Sequence, residues 1–459
     1  MAARRAFRSG MMRRSSALVT SGRLWKSRLV FWAGALATGV ISAGFALLSD
    51  EAQGLFGRVT GGSGWQMWLP LVITPIGMMI CAFAADSYFP GSQGSGIPQA
   101  IAARHLRDDH ERSFLLSMRL VLGKIVLTVI GLASGASIGR EGPTVQVGAS
   151  LMLLSARLGG MAHAKGLILA GSAAGIAAAF NTPLAGIVFA IEEMGRSYNA
   201  RTNGVVLSAV IIAGVASLGL MGSYTYFGVT KEVARFPADW GLVVACGVVG
   251  GIFGALFSRL TLALMRWVRR VKLARMRKLL MVVGGAGLLV AVIGIATGGM
   301  TFGTSYTFAR DAVEGHSLPW YFFIGKFLVT LASTVSGIPG GLFAPSLAVG
   351  AGLGSVIGAL LGSSAGLAAV LGMSGYFAGV VQAPMTAFVI IVEMTGNHEN
   401  VVPVMAAAMI GYGTSRLIAP EPLYHALSRI WAADTIRRIR AVSGAAKPVE
   451  PVEPVKPEV

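Results

Sequence analysis

Charge is scarce in this 459-residue chain. Asp, Glu, Lys and Arg make up 13% of it, against 54% hydrophobic residues and a mean hydropathy of +0.68. So little charge excludes an ordinary soluble domain and indicates an integral membrane protein. Acids are scarcer still, 20 against 38 Lys and Arg, for a net charge of +18. In a soluble protein that excess would suggest nucleic acid. Here the basic residues fall between apolar runs, so topology in a lipid bilayer accounts for them and no nucleic-acid partner is expected. The two cysteines, Cys81 and Cys246, stand isolated in apolar surroundings without CxxC spacing, which excludes a disulfide framework and a cysteine metal site. The six histidines fall in or beside polar segments, and His110-Glu111 and His398-Glu399 lack the second histidine of a zinc-protease motif. Gly61-Gly62-Ser63-Gly64 has a GxSG form but lies in a polar loop. Neither an enzyme, a cofactor nor a metal is therefore expected.

Glycine is abundant, with 62 residues, which suits tight helix contact and broken membrane helices. The stretch Gly139-Arg140-Glu141-Gly142-Pro143 sits between apolar segments. A charged pair flanked by glycines and closed by proline fits poorly in a continuous membrane helix. Pro143 lacks an N–H and suits the first turn of a new helix. The N–H groups of that turn point back into the break, where they can hold an anion. Glu141 then stands beside the anion with a carboxylate of its own, so side chain and ligand compete for one place.

The pattern recurs. Gly341-Leu342-Phe343-Ala344-Pro345 repeats the break at an offset of 341 − 139 = 202, as do Val147-Gly148-Ala149 and Val349-Gly350-Ala351. Gly123-Lys124, Thr128 and Ser134-Gly135 match Gly325-Lys326, Thr330 and Ser336-Gly337 at the same offset, while Pro183 and Glu192 match Pro384 and Glu393 at 201. The chain reads as two related halves, which in a membrane protein points to a transporter with its site at the repeat interface.

Taken in order, residues 1–28 carry eight Lys or Arg and no acid. A transit peptide has such a composition, but a cytoplasmic flank fits better. Apolar spans are expected at 29–48, 68–85, 114–138, 205–220 and 242–264. The first half is bounded as 29–228 and the second as 229–430. Between the early spans lies Gly94-Ser95-Gly96-Ile97-Pro98, another glycine turn opening on proline; an ordinary Ser/Gly turn is the plainer reading of it. Arg104 to Arg112 is expected as a loop. Gly166 to Ile191 reads as a helix pair broken at Phe180-Asn181-Thr182-Pro183. Glu192-Glu193 follows, read either as solvated interfacial carboxylates or as functional groups. Arg266 to Lys278 holds seven Lys or Arg and no acid, and is expected to be cytoplasmic and to join the halves. The tail, 431–459, is low in complexity toward its end and expected to be disordered there.

Together the three glycine stretches, in this order and spacing, resemble the CLC family of chloride channels and chloride/proton antiporters, over roughly Ser27 to Leu427. The resemblance implies an all-α membrane fold with an inverted repeat of two halves, and a homodimer with one pathway per subunit. It places chloride among Ser95, Gly96, Ile97, Leu342, Phe343 and Tyr424, with hydroxyls from Ser95 and Tyr424 and backbone N–H groups from Leu342 and Phe343. Gly94, Pro98, Gly139, Arg140, Gly142, Pro143, Gly341 and Pro345 shape the anion loops. Glu141 is implied as the gate and Glu193 as the inner proton-transfer residue. The family further implies an inner-membrane exchanger of chloride and protons with both termini cytoplasmic. A passive chloride channel is the rival, disfavoured by Glu193; Ser95 favours chloride over fluoride or nitrate. Gln99 and Thr182 depart from the family's common Glu and Ala. Partial dipoles suit such a site because they replace water around the ion and still release it. Carboxylates are expensive in a membrane unless they serve a purpose.

Overall fold

The computed structural model describes residues 22–62, 64–161, 164–195, 200–222, 225–274 and 276–442. The segment 1–21, most of the basic flank, and the end of the tail from 443 lie outside the described residues, as does Ser63.

The described chain is nearly all helix, with one isolated antiparallel bridge in place of any sheet. Eight helices are long and apolar enough to cross a membrane, and four shorter apolar ones accompany them. Of the short ones, Trp320–Val335 ends at the Gly337 turn and Pro384–Thr395 at Gly396, while Ala365–Val381 ends at Gln382. Such non-helical backbone is tolerated at membrane depth because protein surrounds it.

Two series of helices follow one another with matching lengths. The first runs Gly22–Thr60, Pro70–Ser87, Ile97–His105, Met118–Ala133, Glu141–Gly159, Ala164–Phe180, Pro183–Phe189 with a π-turn at Ala190–Gly195, and Ala200–Met221. The second runs Trp240–Ala274, Met276–Ala296, Tyr306–Val313, Trp320–Val335, Phe343–Leu361, Ala365–Val381, Pro384–Thr395 and Val401–Ile418. A final helix, Leu423–Val442, has no counterpart. Glu141–Gly159 and Phe343–Leu361 are both 19 residues long and start 202 apart, as the sequence offset requires.

Packing repeats as well. A Cβ on Gly148 would meet the Gly171 carbonyl oxygen at 2.2 Å, and one on Gly350 would meet that of Gly372 at 2.8 Å. These matched helix pairs therefore cross backbone to backbone, a contact open to glycine alone.

Reciprocal contacts relate the halves. The Gly139 N–H donates to Gly341 O at 2.7 Å, and the Gly341 N–H to Gly139 O at 2.6 Å. Glu192 accepts the N–H groups of Met385 and Thr386 at 3.1 and 2.6 Å, while Glu393 accepts those of Leu184 and Ala185 at 3.0 and 2.7 Å. Each residue meets the counterpart of its own partner, which is the mark of a two-fold axis. Each carboxylate also satisfies N–H groups that a helix start leaves open.

Three expectations change. Arg104–Arg112 is not a plain loop: the helix Ile97–His105 runs into it, and Asp109–Ser113 is a further helical turn. The Glu111 carboxylate accepts the Arg107 N–H at 3.1 Å, so the Asp-x-x-Glu pattern starts a helix here. Arg266–Lys278 does not stand between the two series; it closes the helix Trp240–Ala274 and opens Met276–Ala296, the first two helices of the second series. Lys and Arg are good helix formers, so both helix ends extend into this basic segment. Glu192 is not simply solvated, because it caps the helix opening at Pro384.

Candidate functional site

Three loops meet near the two-fold axis, and hydrogen bonds knit them. The Gly94 N–H reaches Ile338 O at 3.2 Å, and the Gly340 N–H reaches Gly94 O at 3.1 Å. Gly94 and Gly96 hold φ of +67° and +98°, in the left-handed region that glycine alone enters cheaply. Ile97 and Pro98 open the helix after this turn.

Four helix starts belong to these loops or lie beside them. Glu141 begins one helix, with Pro143 in its first turn; Phe343 begins its counterpart, preceded by Leu342 and followed by Pro345. Ile97 begins the third and Leu423, next to Tyr424, the fourth. Ser95 is 8% exposed, and Glu141, Phe343 and Tyr424 are fully buried. Neither the Ser95 hydroxyl nor the Tyr424 phenol has a hydrogen-bond partner among the described residues. A Cβ on Gly142 would meet Ser95 Oγ at 2.2 Å, so the serine hydroxyl lies directly over the Glu141 helix start. The Phe343 ring sits between Phe189, Phe377 and Tyr424, with centroids 6.2, 4.8 and 6.0 Å away.

The Glu141 carboxylate folds back over Gly139, where an added Cβ would lie 2.2 Å from Oε2. The same point lies 3.2 Å from Pro345 Cδ, in the first turn of the helix Phe343–Leu361, and neither carboxylate oxygen has a hydrogen-bond partner among the described residues. The carboxylate is thus held at the start of the second half's helix, where partial positive charge gathers. An anion would seek the same place.

Full positive charges are kept off that place. Arg140 Nη1 donates to Ala46 O and pairs with Asp50 Oδ1, both at 2.6 Å, and its guanidinium faces the Tyr226 ring at 5.7 Å. Buried Lys124 donates from Nζ to Ser92 O at 2.5 Å and Gly94 O at 2.8 Å. Its counterpart Lys326 holds Thr301 O at 3.1 Å and Gly303 O at 2.7 Å. In the sequence these lysines stand out only as repeat markers, in Gly123-Lys124 and Gly325-Lys326. Their shared position in apolar helices was the available signal, since a buried lysine must spend its three donors on something.

Not every loop group is available to an ion. The Gly96 N–H already donates to Gln99 Oε1 at 3.1 Å. Gln99 also donates from Nε2 to Gly91 O at 3.4 Å and Gln93 O at 2.5 Å. A glutamate there could accept the first bond but, when ionised, could donate neither of the others. The departure at Gln99 therefore holds the serine loop without adding charge.

Glu193 stands apart from this cluster, in the π-turn Ala190–Gly195, and is 2% exposed. Such turns inside helices are frequent at functional sites. His425, next to Tyr424, places Nε2 at 3.0 Å from Glu193 O and 3.7 Å from Glu193 Oε1. No local pattern in the sequence encodes this contact, because the two residues lie 232 positions apart.

Residues 76–416 match the family model described as "Voltage gated chloride channel". Among solved structures, the fold is similar to that of a slow cyanobacterial Cl⁻/H⁺ antiporter, at 24% identity and a TM-score of 0.76, over 89% of this chain and 98% of that one. A CLC-type fluoride/proton antiporter gives 21% and 0.72, covering 89% and 99% of the two chains. A eukaryotic CLC transporter gives 22% and 0.74, covering 89% and 75%. At these identities the structures speak to the fold.

Proposed function

The chain belongs to the voltage-gated chloride channel, or CLC, family, and from that premise we propose that it exchanges chloride for protons. The family is one of membrane transport proteins, which removes the protease reading. One observation carries the finer proposal. A fully buried carboxylate, Glu141, lies against the first turn of the helix Phe343–Leu361, and neither it nor the buried hydroxyls of Ser95 and Tyr424 has a hydrogen-bond partner among the described residues. Buried polar groups are costly unless something pairs with them. Ionised Glu141 occupies the anion's place. Protonated, it loses that attraction and yields to chloride, so one residue couples the two ions. Chloride then meets the Ser95 and Tyr424 hydroxyls and the N–H groups of Ile97, Leu342 and Phe343. Glu193 takes up protons from the cytoplasmic side by a partly separate route.

The same reading divides the membrane part into halves at 29–228 and 229–430 and places the protein in the inner membrane with both termini cytoplasmic. We assign a homodimer to the apolar faces of the matched helices near the two-fold, where Leu184, Ile211, Val215, Met385, Val402 and Met409 are exposed. The test is Glu141→Gln in proteoliposomes. The amide mimics a permanently protonated gate, so chloride should pass without proton movement. A variant that still pumps protons would remove Glu141 from the shared step.

A further inference from the structure

We propose that His425 delivers protons from the cytoplasmic side to Glu193, an inference that rests on the proton role given to Glu193 above. The two residues are 232 positions apart in the chain, and the fold places the imidazole against the Glu193 backbone carbonyl with the carboxylate 3.7 Å away. Its side chain is 16% exposed while that of Glu193 is 3% exposed, so His425 reaches toward solvent where Glu193 does not. Imidazole has two nitrogens and exchanges protons in the neutral range, which is what a relay needs.

The acceptor fixes the tautomer. Nε2 lies 3.0 Å from a backbone carbonyl oxygen, which only accepts, so neutral His425 carries its proton on Nε2. In the transfer a proton from water bonds to Nδ1 and forms the imidazolium. The Nε2–H bond then breaks, and that proton bonds to Glu193 Oε1, 3.7 Å away, after a small rotation of the carboxylate. Neutral imidazole remains, protonated on Nδ1, and ring reorientation or exchange with water restores the starting tautomer. One proton leaves water and one arrives on Glu193.

Charged groups face the pair from several elements. Arg104, from the helix Ile97–His105, donates from its guanidinium to Met194 O, one residue from Glu193. A fixed cation here favours the unprotonated form of both His425 and Glu193, so it sets no direction for the transfer, which the proton gradient supplies. Several other charged groups on the packed elements pair with one another. Asp109 pairs with Arg112 at 2.6 Å, Glu421 with Arg429 at 3.0 Å, and Asp434 with Arg269. The His105 ring meets Ile101 O at 2.8 Å, and the helix Ala365–Val381 contributes the buried Tyr376 phenol.

The experiment compares His425→Gln with His425→Ala in proteoliposomes, following chloride-driven proton uptake. Glutamine keeps an amide donor for Glu193 O but cannot relay a proton; alanine does neither. A positioned acid–base group contributes about 100-fold or more, and water replaces part of this, so we expect proton uptake to fall about tenfold in both variants. Imidazole added on the His425 side should restore uptake in His425→Ala. Fold is read separately as chloride flux in a Glu141→Gln background, where no proton step is needed, and it should stay within about twofold. Wild-type proton uptake in His425→Gln would overturn the proposal and leave a positioning role. Failure of imidazole to restore uptake in a folded His425→Ala would overturn it too. Normal proton uptake in Glu193→Gln would instead overturn the reading on which it rests.

Discussion

Gly142→Ala probes a close approach in the site. The new methyl carbon would stand 2.2 Å from Ser95 Oγ, 2.7 Å from Ser95 O and 3.2 Å from Gly341 Cα. The hydroxyl can rotate away, but the carbonyl belongs to a backbone held by Lys124 and by the Gly340 N–H. The serine loop must therefore shift as a unit. Overpacking of this kind costs about 1–3 kcal/mol. If the shift moves Ser95 and the Ile97 N–H off the ion, chloride affinity falls by about 5- to 150-fold, at 1.4 kcal/mol per factor of ten. Calorimetric titration of chloride on detergent-solubilised protein reads this directly, and thermal unfolding of the same sample reports the fold. Gly413→Ala is the control, because nothing lies within 4 Å of a Cβ there; it should stay within about 0.5 kcal/mol of the parent. Adding Ser95→Ala to Gly142→Ala removes the hydroxyl contact but leaves the carbonyl one, so the double variant should remain weakened. An unchanged chloride Kd in folded Gly142→Ala would refute the placement of this loop at the ion.

Two further outcomes follow from the same geometry. Ser95→Pro removes a hydroxyl and a backbone N–H beside the anion, so anion fluxes should show nitrate gaining on chloride; an unchanged ratio in an active variant would take Ser95 out of the site. Glu192→Ala and Glu393→Ala each strip two N–H groups of their acceptor, so each should cost about 1–2 kcal/mol and lower the thermal midpoint in detergent; midpoints equal to the parent would show that the caps do not hold the halves together.

Much of this was legible before folding was considered. The offset of 202 exposed the repeat, because glycines at backbone crossings and prolines at helix starts tolerate few substitutes: Gly148 and Gly350 each touch a partner glycine's backbone. The three loop motifs were legible for the same reason. Helix ends were less so. The first helix runs from Gly22 to Thr60, well past the apolar stretch that announced it, and carries Asp50 and Glu51 with it. Such extensions are invisible to hydropathy because helix propensity, not burial, sustains them. The roles of Lys124, Glu192, Gln99 and His425 depend on what the fold brings opposite them. Glu192 meets a helix start 194 residues later in the chain, and no local pattern encodes that partner. Arg140 stood in the motif, yet its charge is spent on Asp50 and not on the ion.

The claim at the centre is that one pathway couples chloride to protons through Glu141, supplied from Glu193. The most direct test is purified protein in liposomes, with chloride and proton fluxes followed together under a chloride gradient. Chloride running down its gradient should drive protons uphill in the opposite direction, and Glu193→Gln should abolish the proton movement while chloride still flows. Chloride flux without coupled proton movement at any pH would contradict it and make the protein a passive channel.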